Sequence, residues 1–175
     1  MPGCPAARPY PPSVTDDYAS YIAGLPRILA GAAALFRDAR GRVLIVEPNY
    51  RDGWTLPGGT VESGQGETPR AGAARETEEE IGLRVPLGRL LAVDWVRGRG
   101  RPPIVLYLYD GGVLSDAQLR AVRLQEDELL SWRLVEPEDL GPYLPGALGR
   151  RVRAALSALE EGSGPLELED GREVG

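Results

Sequence analysis

The chain has 175 residues, 42% of them hydrophobic and 26% charged, with a net charge of −6; it can bury one core as a single domain with loose ends and is too acidic for a broad nucleic-acid surface. It has no histidine and no lysine, so all 20 basic residues are arginine, which excludes a Ser-His-Asp triad, a histidine-based zinc site, a lysine Schiff base and a phosphate loop ending in lysine. The lone Cys4 rules out an internal disulfide framework and suits a reducing cytoplasm, while no apolar run approaches the roughly 18 residues that span a bilayer and no signal-peptide core opens the chain.

In chain order, prolines at positions 2, 5, 9, 11 and 12 make the first 20 residues a loose arm. The main domain is expected over 21–161. An alanine-rich strand over 28–36 turns through Asp38-Ala39-Arg40-Gly41 into a second over 42–47, whose run Val43-Leu44-Ile45-Val46 suits a strand covered on both faces. A loop over 50–54 leads to Leu56 and a glycine turn at Gly58-Gly59. The next helix is expected to be capped by Thr68, to begin at Pro69 and to stop at Gly82. Strands follow over 85–96 and 104–109, joined by Arg97-Gly98-Arg99-Gly100-Arg101-Pro102-Pro103. A short helix over 115–124, a strand over 129–135 and a closing helix over 146–161 complete the domain. Residues 162–175 have the glycine, serine and acid content of a flexible tail.

The most informative stretch is Gly58-Gly59-Thr60-Val61-Glu62, then Glu67, then Arg75-Glu76-Thr77-Glu78-Glu79-Glu80-Ile81-Gly82-Leu83. At about 100 degrees per residue, Glu76, Glu79 and Glu80 project from roughly a third of the helix circumference. Glu78 points away, and Ala74, Thr77 and Ile81 fall on a neighbouring face that can pack inward. Gly72 and Ala73 share the carboxylate face and leave room for phosphates. Three like charges held together favour a cation among them, and oxygen ligands without imidazole or thiolate suit magnesium or manganese rather than zinc. A merely solvated face would gain from lysines four residues on, and the chain has none.

From Gly59 to Leu83 this stretch resembles the Nudix box of the Nudix hydrolases, approached through Trp54-Thr55-Leu56-Pro57-Gly58-Gly59. The chain departs from the pattern twice: Gly59 lies eight positions before Glu67 where the family has six, and Thr77 replaces an aliphatic residue. The resemblance implies an α/β fold, the family's α/β/α sandwich with a mixed central sheet. It also implies metal-dependent cleavage of the diphosphate in a nucleoside diphosphate linked to another moiety, such as a nucleoside triphosphate or ADP-ribose. By position, Glu76, Glu79 and Glu80 match the principal metal ligands, for Mg2+ or Mn2+, with the backbone of Gly59 as a further ligand. Arg75 matches the arginine that orients a carboxylate, and Arg75 and Glu79, at i and i+4, are within reach of an ion pair.

Many members of that family add a distant acid as ligand or base. Glu128, six residues before Leu134, has a similar placing, with Glu126 and Asp127 as rivals. For substrate, Arg97, Arg99 and Arg101 could clamp phosphate oxygens or form a solvated hairpin tip. Trp54, Tyr50, Trp95 and Tyr107 could stack on a base or pack in the core. The expected partner is a small nucleotide, with neither nucleic acid nor membrane, and a homodimer is left open. A non-catalytic nucleotide sensor on the same fold is the competing reading, against which the intact Glu76, Glu79 and Glu80 speak. A diphosphate isomerase on that fold would need a cysteine and histidine-bound metal that this chain does not offer.

Overall fold

The computed structural model describes residues 16–98 and 100–174. Its elements are α1 (Asp16–Gly24), β1 (Leu29–Arg37), β2 (Val43–Pro48), β3 (Gly58–Thr60), α2 (Pro69–Ile81), β4 (Leu90–Val96), β5 (Ile104–Val113), α3 (Asp116–Ala121), β6 (Leu129–Val135), α4 (Leu140–Tyr143), α5 (Gly146–Glu161), β7 (Leu166–Glu169) and β8 (Arg172–Glu173). The strands form one sheet in the order β6-β2-β1-β5-β4-β7-β8, with β3 added against β1. Pairing is parallel between β1 and β5 and between β4 and β7, and antiparallel elsewhere. The sheet is therefore mixed, as expected.

Its two faces carry separate cores. The alternation along β2 sends Val43 and Ile45 into one core with Leu35, Leu91, Val152, Ala155 and Leu156, and Leu44 and Val46 into the other with Phe36, Ile81 and Leu129. The continuous apolar run of β2 thus has its cause in burial on both faces. Helix α5 covers the first face and α2 the second, which makes the α/β/α sandwich. No helix among the described residues is long and apolar enough to cross a membrane.

Three expectations change. The loose arm over 1–20 lies outside the described residues as far as 15, and its remainder enters α1. Residues 85–89 are not strand: Arg70 donates to the carbonyls of Leu87 and Gly88 at 3.0 and 2.7 Å, holding this segment on α2 before β4 begins. The flexible tail over 162–175 contains β7, which pairs with the edge of β4 from Ala92↔Leu166 to Trp95↔Glu169. Leu168 is 1% exposed within the α5-side core. Burial of that leucine and the ladder offered by a free strand edge outweigh the local polarity of the segment.

Candidate active site

Helix α2 starts where its sequence directs. Thr68 Oγ1 accepts from the Ala71 N–H at 3.3 Å, Pro69 takes the first position, and Gly82 ends the helix in the left-handed conformation. The helix lies against β1 and β3 with Thr77, Glu80 and Ile81 buried. Ala74, expected to pack inward, is exposed, and Ala73 is buried in its place. Thr77 donates its hydroxyl to the Ala73 carbonyl at 2.7 Å, which satisfies the polar atom that replaces an aliphatic residue.

The glycine turn brings backbone to the carboxylates. Gly58 has φ 148°, and a Cβ there would fall 2.4 Å from the Ala32 carbonyl oxygen, so only glycine lets β3 lie this close to β1. Its N–H donates to Glu80 Oε2 at 2.8 Å. A Cβ on Gly59 would fall 2.5 Å from the carboxyl carbon of Glu76. Two of the three face carboxylates therefore meet the turn directly.

Their electrostatics is strained. Glu80 is 3% exposed, and burial pushes its carboxyl up to about 7; the Gly58 N–H opposes this, and the charges of Glu76, Glu128 and Glu79 add to it. Burial also raises Glu76, offset in part by Arg75 and reinforced by Glu79 and Glu128. The charge of Glu128 thus reaches both residues. Its loop is tied to the end of α2, where the Arg123 N–H donates to the Ile81 carbonyl at 3.0 Å and the Gln125 N–H to that of Glu80 at 3.1 Å.

Arg75 organises the rest. Its Nε and Nη2 donate to the two carboxylate oxygens of Glu67 at 2.9 and 3.2 Å, while Nη1 donates to Glu76 Oε1 at 3.0 Å and Glu79 Oε2 at 2.8 Å. The Arg75–Glu79 pair anticipated from spacing is thus formed. Glu67 also accepts from the Glu62 N–H at 2.8 Å, and the Arg75 hydrogen bonds, first among its causes, hold its carboxyl below the usual range. The two extra residues are absorbed in a single 3-10 turn, Ser63–Gln65, closed by Gly66, so Glu67 still reaches Arg75. Glu78 points outward to Arg84. Among the described residues no three acidic side chains converge as a ready ligand set, because Arg75 holds Glu76 and Glu79 while Glu80 faces Gly58.

Beside the turn, a cavity of about 500 Å³ is walled by β1, β5 and the start of α5 and includes Gly58, Gly59, Thr60 and Tyr107. Of the expected substrate residues that the structure describes, Arg101 and Tyr107 line it. Arg97 is instead paired with Glu169 at 2.8 Å, and Arg99 lies outside the described residues. Trp54 packs edge-on against Tyr143 with centroids 5.9 Å apart, beneath the Arg133 guanidinium at 4.4 Å, and is absent from the cavity lining. Two lining arginines, Arg51 and Arg151, escaped the sequence reading. Arg151 could have been found: with Ala147 and Ala155 it forms an i, i+4, i+8 stripe on the core side of α5, where a lone charge demands a partner.

The NUDIX domain model matches residues 27–156 of the chain. The chain belongs to the Nudix hydrolase family. A MutT-like protein of Streptomyces ambofaciens is 29% identical over 135 residues, covering 77% of this chain and 79% of that protein. Diphosphoinositol polyphosphate phosphohydrolase 2 of Rattus norvegicus is 45% identical over 74 residues, covering 42% of this chain and 40% of its own length. The MutT protein of Methanosarcina mazei Go1 superposes with a TM-score of 0.61 at 23% identity, over 78% of this chain and 96% of that one; this last likeness speaks for the Nudix fold alone.

Proposed function

We propose that this Nudix hydrolase uses Mg2+, or Mn2+, to cleave the diphosphate linkage of a nucleoside diphosphate joined to another moiety. One observation carries the reading: beside the Gly58-Gly59 turn, Arg75 bridges Glu76 and Glu79, and Glu80, 3% exposed, accepts from the Gly58 N–H, its carboxyl pushed up to about 7 by burial and by the charges of Glu76, Glu128 and Glu79. The donors fit the cation in kind, being hard oxygens throughout with no imidazole or thiolate. A divalent ion there supplies charge neutralisation and an activated water.

The chain's own residues do the positioning. Glu76, Glu79 and Glu80 would hold the ion together with the Gly59 backbone, once Nη1 of Arg75 yields its two carboxylates. Glu67 keeps Arg75 in place while it does so, since its bonds to Nε and Nη2 do not involve Nη1. Glu128, exposed on its loop, stands within electrostatic reach of the cluster and is our choice as proton acceptor. The cavity beside the turn would take the nucleotide. The ADP-ribose and UDP-linked substrates in the names of two structural neighbours define a panel rather than a choice. Formation of the nucleoside monophosphate and its partner phosphomonoester from that panel, followed with and without Mg2+, tests the proposal, and isothermal titration of Mg2+ into the protein tests the site without turnover. A chain that neither binds the ion nor hydrolyses any member refutes it.

A further inference from the structure

The 500 Å³ cavity adjoins a second of about 600 Å³, and Val96, Arg101 and Ala147 line both. The charged residues lining the first are Arg51, Arg101 and Arg151, without one carboxylate. The second adds Arg97, Arg150 and Arg172 against a single acid, Asp170, which is already bonded by the Arg97 N–H at 3.1 Å. In a chain of net charge −6, six arginines line the joined hollow; Arg97 is paired with Glu169 and Asp170 and Arg151 with Asp94, and the remaining excess makes a cationic site. Glu76, Glu79, Glu80 and Glu128 line neither cavity.

Two features show that the site is built rather than incidental. Arg151 is 7% exposed, and Asp94, itself wholly buried, fixes it through Nε and Nη2, each 2.7 Å from Asp94 Oδ2. The other oxygen of Asp94 accepts from the Gly171 N–H at 3.1 Å, which ties the β7–β8 turn to the same anchor. Nη1 of Arg151 has no hydrogen-bond partner among the described residues and is not a sealed-off buried atom, so it is available to the cavity that Arg151 lines. Second, the 16-residue α5 begins at this wall with Gly146 and Ala147, and no side chain caps it. Its first N–H groups add to the donor field.

Resting on the hydrolase reading above, we propose that the substrate carries a phosphate monoester apart from the diphosphate that is cut, and that Arg101, Arg151 and Arg172 bind this phosphate where the two cavities meet. Guanidinium forks match phosphate oxygens, and a dianion suits Arg101 and Arg172, which have no ion pair among the described residues, together with the free Nη1 of Arg151. The C-terminal hairpin, read from sequence as a tail, becomes a wall of the specificity pocket through Asp170 and Arg172.

The test measures equilibrium binding to the metal-free protein, so it does not depend on turnover. Adenosine 3′,5′-bisphosphate and adenosine 2′,5′-bisphosphate are compared with adenosine 5′-monophosphate by isothermal titration. At least one bisphosphate should bind about tenfold tighter or better, the gain expected of one charge-assisted phosphate contact. The Arg101→Gln, Arg172→Gln double variant, altered only at exposed residues, should lose that preference to within about twofold. Arg151→Gln leaves Asp94 buried without its partner, so it is read together with Asp94→Asn, Arg151→Gln, which removes both charges; both should also lose the preference. Equal affinity for all three nucleotides, or a preference that survives in the exposed double variant, overturns the proposal. Hydrolysis of simple diphosphates would be untouched by that result, whereas absence of hydrolysis would leave the binding preference standing.

Discussion

Glu80 provides the sharpest test of how the carboxylate cluster is held. Its carboxyl is raised from 4.5 to about 7, first by burial and then by its acidic neighbours. At ~1.36 kcal/mol per pH unit this corresponds to about 3 kcal/mol between folded and unfolded states. The sign follows from proton binding: the folded protein holds this proton more tightly than the unfolded chain. The stabilising contribution is therefore complete below 4.5 and is lost as pH rises through 7. In Glu80→Gln the amide oxygen can still accept from the Gly58 N–H, but the side chain cannot ionise. Without metal, the variant should exceed the wild type by less than about 1 kcal/mol at pH 5 and by about 3 kcal/mol at pH 8, a rise in Tm of several degrees for a domain of this size. Urea denaturation of both proteins at pH 5, 6, 7 and 8 in EDTA measures the difference. Mg2+ should raise the wild type most at pH 8 and the variant little. Parallel pH profiles for the two proteins, or a wild type more stable than Glu80→Gln at pH 8, would refute the burden assigned to Glu80.

Glu128→Gln should lower kcat by about 10²-fold or more with little change in KM, since a proton acceptor acts in the transition state; Glu126→Gln and Asp127→Asn should be milder, and steady-state kinetics of the three ranks them. Leu168→Ala removes a buried side chain from the β7 edge and should cost about 2–5 kcal/mol in denaturant unfolding, whereas a solvated tail would show almost none.

What the sequence makes legible depends on how local the cause is. Helix α2 could be read to its ends because Thr68, Pro69 and Gly82 act within a turn of where they stand, and its carboxylate face because helical periodicity is rigid. The edge strand β7 could not: Leu166-Glu167-Leu168-Glu169 offers only two leucines, and the strand exists because β4 presents a free edge brought there by the rest of the chain. The same limit hid Arg51 and dispersed the arginine loop, since Arg97 found Glu169, 72 residues away. Asp94 and Arg151 are intermediate. Each is a lone charge in an apolar pattern, in Leu-Leu-Ala-Val-Asp-Trp-Val and on the inner stripe of α5, and two such misfits of opposite sign announce one another. The Glu67–Arg75 pair survived its two-residue insertion because the added length closes into a turn of its own rather than shifting α2.

The proposal of metal-dependent diphosphate hydrolysis is tested most directly by the Glu79→Gln, Glu80→Gln double variant, assayed beside the wild type on the diphosphate substrate that the panel selects, across a Mg2+ titration. Saturable Mg2+-dependent turnover in the wild type and a loss of about 10³-fold or more in a folded double variant is the predicted result. Equal turnover by the two proteins, or wild-type turnover indifferent to EDTA, would contradict it.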